Sequence, residues 1–352
     1  MGLTGPITPS VIRILRGRIV RGIYSGKLPG ERVLAAELKT NPRTVQNALM
    51  WLEATGLVRR RERSGTFVVA PGERAGKGGF LHVRLLAEQP VVSARESRYW
   101  AWLIVYGFKM AAQARQIPVV SEYRDSVEEA VREAIVESAA PNCAGVCILA
   151  LPVETSHAIR LAAAPGAVVL ADLSLEEALV PTVCFDDLGA GRLAAEHLVR
   201  LGHRRIAFAM PTPADSSGHD RLKGTQEWLA GMGMKLCRVE IYPEDHPAAL
   251  RRLLAGAEPP TALIVSTTHA GEIMHELAVA GGVAVPRLLS LVTFADPRML
   301  HNRALTVVAM DHEALGRRAF EALLDEELLD DPRRVYLPSH LIPGATTAPP
   351  AQ

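Results

Sequence analysis

The stretch from Leu28 to Val69 constrains the fold more than any other part of the chain, because it joins two short helical patterns to a basic, strand-forming end. Asn41 and Pro42 mark the start of the second helix. Asparagine is a good N-cap, and proline at the first helical position loses only an amide that would be unpaired anyway. One apolar face then follows at helical spacing, formed by Val45, Ala48, Leu49 and Leu52.

The opposite face of this helix is polar near its start, where it carries Arg43, Thr44, Gln46 and Asn47. The preceding helical pattern ends at Lys39 and Thr40. This leaves a connection of about three to four residues, which is typical of a helix-turn-helix. In that motif the second helix enters the major groove, so the polar face predicts contact with DNA.

Two short strands around a turn at Ser64 and Gly65 predict a wing behind this helix, and Gly56 stands where the helix would be capped. The basic residues of this region are Arg59, Arg60, Arg61 and Arg63. Such a run is also compatible with an ordinary solvated surface. The distribution of charge favours DNA: residues 1–70 hold twelve Lys and Arg against four Glu, a net charge of +8, whereas the whole chain carries +1.

Residues Ile12 to Val69 closely resemble the winged-helix head of the GntR family of bacterial regulators. The motifs that match are Leu28-Pro29-Gly30-Glu31-Arg32, Thr44-Val45, Ala48-Leu49, Gly56-Leu57-Val58 and Gly65-Thr66-Phe67-Val68. The resemblance implies that DNA is contacted by Arg32, Arg43, Thr44, Gln46 and Gly65. The polar helix face and the basic strands add Asn47, Arg61 and Arg63. Many members have arginine where this chain has Pro42, so the bases read here cannot be taken from them.

A first helix is predicted from Val11 to about Ile23, with arginines on the face that points away from the core, where they could also reach DNA phosphates. Its apolar face would comprise Ile12, Leu15, Ile19 and Ile23. After the wing, Pro71 to Gly79 is a run of turn formers and charges, typical of a flexible linker.

Composition is that of a soluble globular chain: 352 residues, 48% of them hydrophobic and 22% charged. No secretory leader opens the chain, and the longest apolar stretch, around Ala144 to Val153, is too short for a membrane span. A cytoplasmic protein without a membrane partner is therefore expected. The cysteines lie in or beside apolar runs without zinc spacing, so core packing is expected for Cys143, Cys147, Cys184 and Cys237.

From Leu81 onward, strand-like runs alternate with amphipathic helices, which predicts parallel sheets covered by helices on both sides. The predicted strands are Leu81–Ala87, Pro118–Val120, Gly145–Ala150, Ala167–Ala171, Ile206–Met210, Leu236–Ile241, Ala262–Ser266, Leu289–Phe294 and Leu305–Val308. Two doubly wound units of this length suggest a bilobed fold with a ligand at the carboxyl ends of the strands, between the lobes.

The region from about Leu81 to Pro343 resembles the sugar-sensing domain of LacI/GalR-type repressors, which is itself similar to periplasmic sugar-binding proteins. The matching residues are Phe185-Asp186-Asp187, Gly191 to Leu201, Gly202-His203-Arg204-Arg205-Ile206, Arg221-Leu222-Lys223-Gly224 and Val285-Pro286. A GntR-type head on such a sensor resembles the arabinose-repressor subgroup. The expected domains are a winged helix-turn-helix at 1–70, a linker at 71–79, and an effector-binding and dimerisation domain at 80–345.

The resemblance implies that Arg221 clamps the hydroxyls or carboxylate of an effector, with Ser216 and Ser217 just upstream; the alternative is a surface arginine at a helix start. A forked guanidinium suits such ligands. Thr267 and Thr268 replace the usual Asn-Asp pair, and Ala295 replaces an aspartate expected after Phe294. The pocket is therefore expected to have lost carboxylates that normally accept sugar hydroxyl hydrogens, and the effector to be more anionic, less hydroxylated or simply different. The further candidates are Trp100, which could stack on a sugar ring, and His269, for which bonding to backbone at a helix start is an equal alternative.

No phosphate loop, metal-spaced His/Cys set or nucleophile elbow is found, so an enzyme is not expected, and neither a cofactor nor a metal. The sequence predicts a homodimeric, DNA-binding transcriptional regulator, a repressor, controlled by a sugar-like effector. The alternative is an effector-insensitive repressor whose sensor-like domain serves only to dimerise.

Overall fold

The computed structural model describes residues 8–20, 22–70, 82–88, 99–124, 126–140, 142–151, 153–173, 175, 177–212, 216–243 and 245–351. The predicted linker at 71–79 lies outside the described residues. Within the described ranges, no helix is both long and apolar enough to cross a membrane.

The N-terminal head, residues 8–70, consists of three helices and a two-stranded ribbon. These are α1 (Thr8–Val20), α2 (Glu31–Glu37), α3 (Pro42–Ala54), β1 (Val58–Arg61) and β2 (Gly65–Val68). The Asn41 side chain caps α3 by accepting a hydrogen bond from the Thr44 amide at 2.8 Å. At the other end, Gly56 adopts a φ of 76°, which lets the Leu57 amide donate to the Leu52 carbonyl. The predicted helix start and end are confirmed.

The head encloses a small apolar core to which each helix contributes. Its buried residues are Val11, Ile12, Leu15, Ile19, Leu28, Leu34, Ala35, Leu38, Val45, Ala48, Leu49, Leu52, Leu57 and Val58. One expectation is wrong: Ile23 is 60% exposed, because α1 ends at Val20 and the chain turns at Gly22, whose φ is 75°. The predicted wing is confirmed, with β1 and β2 antiparallel and Arg61 opposite Gly65.

A first six-stranded sheet follows the head, with the strand order β13-β7-β6-β5-β3-β4. Its strands are β3 (His82–Glu88), β4 (Val119–Arg124), β5 (Cys143–Leu149), β6 (Val168–Ala171), β7 (Thr182–Phe185) and β13 (Arg334–Leu337). The pairings from β4 through β3, β5 and β6 to β7 are parallel. The helices between these strands are α4 (Tyr99–Ala114), α5 (Val127–Ala139) and α6 (Thr155–Ala162).

A second six-stranded sheet has the order β14-β12-β11-β10-β8-β9. Its strands are β8 (Ile206–Thr212), β9 (Arg238–Pro243), β10 (Ala262–Val265), β11 (Ser290–Ala295), β12 (Thr306–Ala309) and β14 (His340–Ile342), of which β14 runs antiparallel to β12. The remaining helices are α7 (Asp187–Arg200), α8 (Ser216–Gly231), α9 (His246–Leu254), α10 (Thr268–Ala280), α11 (His312–Ala322) and α12 (Glu326–Asp330). A winged helix followed by two parallel-dominated α/β sheets confirms the predicted fold class.

The chain divides into two compact units. The first unit comprises Met1–Val91, Ile104–Cys184 and Glu313–Val335, and the second comprises Val92–Leu103, Phe185–His312 and Tyr336–Gln352. The head therefore belongs to the same unit as most of the first sheet. We call the rest of that unit, which comprises β3 together with Ile104–Cys184 and Glu313–Val335, the first-sheet body. Core packing is confirmed for the three cysteines of that unit, whereas Cys237 is exposed, because it lies just before an edge strand.

Candidate functional site

The polar face of α3 is exposed near the start of the helix. Arg43, Gln46 and Asn47 are exposed, while the apolar face on the other side is fully buried in the head core. Thr44 differs from its neighbours because its hydroxyl donates to the Asn41 side chain at 3.1 Å, so this residue belongs to the helix cap. The helix thus presents three polar side chains on one accessible face.

The wing adds charge beside this face. Arg61 and Arg63 are exposed, and the Arg61 guanidinium lies 5.0 Å from the centroid of the Phe67 ring, a cation–π contact. Arg63 and Gly65 adopt φ values of 58° and 105°, which form the tip of the ribbon. Since a left-handed φ favours glycine, Gly65 has a conformational role in addition to its predicted DNA contact.

The arginines of the head do not all serve the same role. Arg32 is exposed at the start of α2, as its predicted DNA contact requires. Arg60, between two exposed wing arginines, instead faces the helices: its guanidinium lies 3.6 Å from Glu53 and 3.5 Å from Glu31. The Glu53 carboxylate also accepts from the Arg60 amide at 2.9 Å. Arg60 therefore holds the ribbon against α3.

Arg221 lies within the second unit, on α8, and only 9% of it is exposed. Its Nε donates to Asp187 at 2.8 Å, and its Nη1 donates to the Ser266 carbonyl at 2.7 Å. The guanidinium also lies 4.8 Å from the centroid of the Phe294 ring. The alternative of a surface arginine is wrong, because α8 packs this side chain against the carboxyl ends of β10 and β11.

The other predicted effector residues lie at the starts of two helices. Thr267 caps α10 by accepting from the Ala270 amide, and the Thr268 hydroxyl donates to the Phe294 carbonyl at 2.8 Å. Both threonines therefore have structural bonds. His269 is half-buried on α10, with its ring 6.1 Å from that of His246. At the start of α8, Ser216 is exposed and Ser217 is half-buried.

A buried aspartate at the end of β11 was missed by sequence reasoning. Asp296 is 0% exposed, and Arg298 donates to both of its oxygens, at 2.8 and 2.6 Å. Burial alone would raise the pKa of the Asp296 carboxyl, but the hydrogen bonds from Arg298 and His312 hold that pKa well below its usual range. Asp187 and Asp296 thus place two carboxylates at this edge of the sheet, although Thr267, Thr268 and Ala295 supply none.

His312, at the start of α11, connects this aspartate to an aromatic cluster. Its Nδ1 lies 3.5 Å from the Asp296 carboxylate, and its ring centroid lies 6.0 Å from that of Trp100 and 5.0 Å from that of Phe185. Trp100 belongs to the same unit as Arg221. The signals that could have found these residues were in the sequence: Asp187 completes the Phe185-Asp186-Asp187 motif, and Asp296 directly follows the position where an aspartate was expected.

Two family models match the chain. Residues 8–68 match the bacterial regulatory proteins of the gntR family, and residues 195–347 match the periplasmic binding protein-like domain. The HTH-type transcriptional regulator CelR of Thermobifida fusca is 29% identical over 179 residues, which cover 48% of this chain and 53% of CelR. The chain therefore matches about half of the length of that relative.

A second relative is matched over more of its length. The arabinose metabolism transcriptional repressor of Geobacillus stearothermophilus is 25% identical over 308 residues, which cover 80% of this chain and 81% of the repressor. Among solved structures, a transcriptional regulator CelR-cellobiose complex has a TM-score of 0.63 at 22% identity and covers 97% of this chain and 99% of that chain.

Proposed function

We propose that this chain, which joins a GntR-type helix-turn-helix domain to a periplasmic-binding-protein-like domain, is a cytoplasmic DNA-binding transcriptional regulator without catalytic activity, and that it acts as a repressor. The observation that carries the proposal is the exposed polar face of α3 beside the basic wing. An α-helix fits the major groove, where Arg and Gln side chains can make paired hydrogen bonds with base edges. The names of the related regulators support the same function.

Arg43→Ala and Gln46→Ala should each change which operator sequences are bound, while the protein stays folded. A base-edge contact contributes about 1–3 kcal/mol at its own base pair, so discrimination at that position should fall by roughly 5-fold to 150-fold. Selection from a random DNA library, followed by sequencing, measures this. Arg200→Ala is the matched control, because its exposed side chain lies on α7 in the second unit. If both variants weaken all sequences equally, these residues contact only phosphates and the proposed readout is wrong.

We propose further that the regulator is a homodimer on an inverted repeat. Helix α4 presents an exposed apolar stripe at helical spacing, formed by Trp102, Tyr106 and Met110. Large exposed apolar patches mark interaction sites on proteins that are otherwise soluble. The same DNA selection should therefore return two half-sites, one for each head, and sedimentation should show two chains. A single half-site in every selected sequence, bound by one chain, would contradict the homodimer.

The effector is proposed to be a sugar or sugar derivative bound at the carboxyl edge of the second sheet. Arg221 offers a forked guanidinium there, and the Trp100–His312 cluster offers ring faces in the same unit. Such groups suit a ligand with hydroxyls and a flat ring surface. The name of one structural neighbour, a CelR-cellobiose complex, is consistent with this class. The expected position between two lobes stays a prediction.

A thermal-unfolding screen with pentoses, hexoses, sugar acids and sugar phosphates should identify a ligand that raises the melting temperature. A ligand present at 100 times its Kd stabilises the native state by about 2.7 kcal/mol. The affinity for the best ligand should also differ with and without operator. Thermodynamic linkage requires that, if the ligand changes operator affinity by some factor, operator changes ligand affinity by the same factor. An unchanged ligand affinity on operator would show that the ligand does not control DNA binding.

A second candidate function is an effector-insensitive repressor whose second unit serves only assembly. The observation that favours it is that Arg221 already donates to Asp187 and to the Ser266 carbonyl, so a ligand would have to share or displace these bonds. Absence of any melting shift across the screen, together with intact operator binding, would select this function over effector control.

A further inference from the structure

Helix α1 has a second buried surface besides the one that closes the head core. Arg16 is only 2% exposed, although the sequence predicts a solvent-facing arginine available to DNA phosphates. Its Nη2 donates to the Ala140 carbonyl at 2.5 Å and to the Cys143 carbonyl. Ala140 is the C-cap residue of α5 and Cys143 is the first residue of β5, so both carbonyls belong to the first-sheet body. The expectation for this arginine is therefore wrong: Arg16 is inserted into the body, more than 120 residues away in sequence.

The surface that receives Arg16 is shaped for it. A Cβ atom added at Gly166 would overlap both the Arg16 guanidinium and the Ser138 carbonyl. Around the guanidinium, a small cleft is lined from the α1 side by Arg13 and Gly17, and from the body by Ala144, Ala167, Leu323 and Leu329. Burying a guanidinium is costly unless its donors form hydrogen bonds. The contacts around Arg16 therefore favour one position of α1 on the body.

A second arginine of α1 joins three helices. Arg18 Nε donates to both oxygens of Glu326 on α12, at 3.1 and 3.2 Å, while its Nη1 donates to Glu37 on α2 at 2.5 Å. Glu37 belongs to the head and Glu326 to the body. The Arg18 guanidinium therefore links α2, the helix before the proposed recognition helix α3, to the first-sheet body.

The charges of the two partners are complementary. On the α1 side, Arg18 pairs with Glu326, and Arg13 interacts electrostatically with Asp330. The neighbouring acids Asp325, Glu327 and Asp331 instead pair with Arg318 and Arg333 of the body. Burial lowers the pKa of Arg13, and the carboxylate of Asp330 acts against that shift. Electrostatic complementarity of this kind sets the orientation of an interface more than its affinity.

We propose that α1 is a docking helix that holds the DNA-binding head in one orientation on the first-sheet body. Arg16 is the buried contact of this interface, and the ion pair between Arg18 and Glu326 is its charged contact. The body thereby sets the direction in which α3 points, so a rotation of the body carries the recognition helix with it. The consequence for DNA recognition rests on the proposed function, whereas docking itself does not.

Docking leaves the DNA-reading surface accessible. Arg43, Gln46 and Asn47 on α3 and Arg61 and Arg63 on the wing are exposed in the docked head. The arginines used for docking and those available for DNA are thus different sets. The docked head is therefore accessible to DNA, and we expect operator to bind it without releasing it from the body.

The test measures the distance between the head and the body in the full chain. Spin labels are attached at Val33→Cys on α2 and Val136→Cys on α5, which are 59% and 62% exposed. The background is Cys237→Ser, because the other three cysteines are buried. Labelled protein is diluted with unlabelled protein, so that pulsed electron paramagnetic resonance reads distances within one chain. The parent should give one narrow distance distribution.

Glu326→Arg places a third positive charge against Arg13 and Arg18, and it should convert the narrow distribution into a broad one. Glu321→Arg is the matched control: it makes the same charge change on α11, where Glu321 pairs with Arg318, and it should leave the distribution narrow. Arg16→Met should also broaden the distribution. Circular dichroism checks that each variant is folded, and the surface variant Glu326→Arg decides the test if Arg16→Met does not fold.

A broad distribution in the parent, or a narrow and unchanged one in Glu326→Arg, would overturn the proposal. With selected operator DNA added, the parent distance should stay narrow and unshifted. If DNA broadens or shifts it, the docked head is not the DNA-bound form. If the protein binds no DNA but the distance is narrow and sensitive to Glu326→Arg, docking stands and the proposed function fails.

Discussion

Arg221→Leu should lower the free energy of unfolding by about 3–5 kcal/mol, the cost of removing one partner from a buried ion pair. The Arg221 and Asp187 side chains are each 11% exposed, so the variant leaves the Asp187 carboxylate buried without this partner. It also removes the donor to the Ser266 carbonyl. Urea unfolding of the full chain, followed by circular dichroism, measures the loss.

The double variant Arg221→Leu with Asp187→Leu should be more stable than Arg221→Leu alone, because no uncompensated charge remains. Arg192→Leu is the control: its side chain is 63% exposed and lies 3.9 Å from Glu196, so its effect should stay within about 0.5 kcal/mol. If Arg221→Leu lowers the free energy of unfolding as little as this control does, the Arg221–Asp187 pair is not buried in solution. The effector site proposed around Arg221 would then be contradicted.

Leu49→Ala should destabilise the head by about 2–5 kcal/mol and abolish operator binding at physiological temperature. Leu49 is 0% exposed in the head core, and truncating it leaves a cavity in a core of fewer than twenty side chains. A domain of this size buries too little apolar surface to absorb such a loss. Thermal unfolding together with operator binding measures both effects.

The neighbouring residue supplies the matched control for this variant. Met50 is 55% exposed on the same helix, so Met50→Ala should change stability by no more than about 0.5 kcal/mol. The ligand-induced melting shift of the second unit should survive in both variants. Operator binding that persists in Leu49→Ala at full affinity would contradict a head that recognises DNA through a packed α3.

Much of the head could be predicted because its signals are local. The Asn41 cap, the glycine turn at Gly56 and the ribbon register opposite Gly65 depend on hydrogen bonds between residues close in the chain. Helical periodicity then decides which side chains of α3 are buried and which are exposed. The same periodicity separated the strands from the helices over most of the two sheets. It missed three short strands, β7 and the two edge strands β13 and β14.

The roles of individual arginines could not be predicted in this way. By residue type and spacing, Arg16, Arg18 and Arg60 look the same as Arg43 and Arg61. The difference is set by partners distant in sequence: Arg16 meets Ala140 and Cys143, and Arg18 meets Glu326, 308 residues away. Similarly, only the packing of α8 on the second sheet pairs Arg221 with Asp187.

By itself, the sequence determined the ends of α3, the wing and most of the order of strands and helices, because these depend on backbone geometry within a few residues. The tertiary structure alone decided which charged side chains are available to a ligand or to DNA and which are bound within the protein. A charged group can be buried only where its partners surround it, and in this chain those partners come from segments that folding brings together.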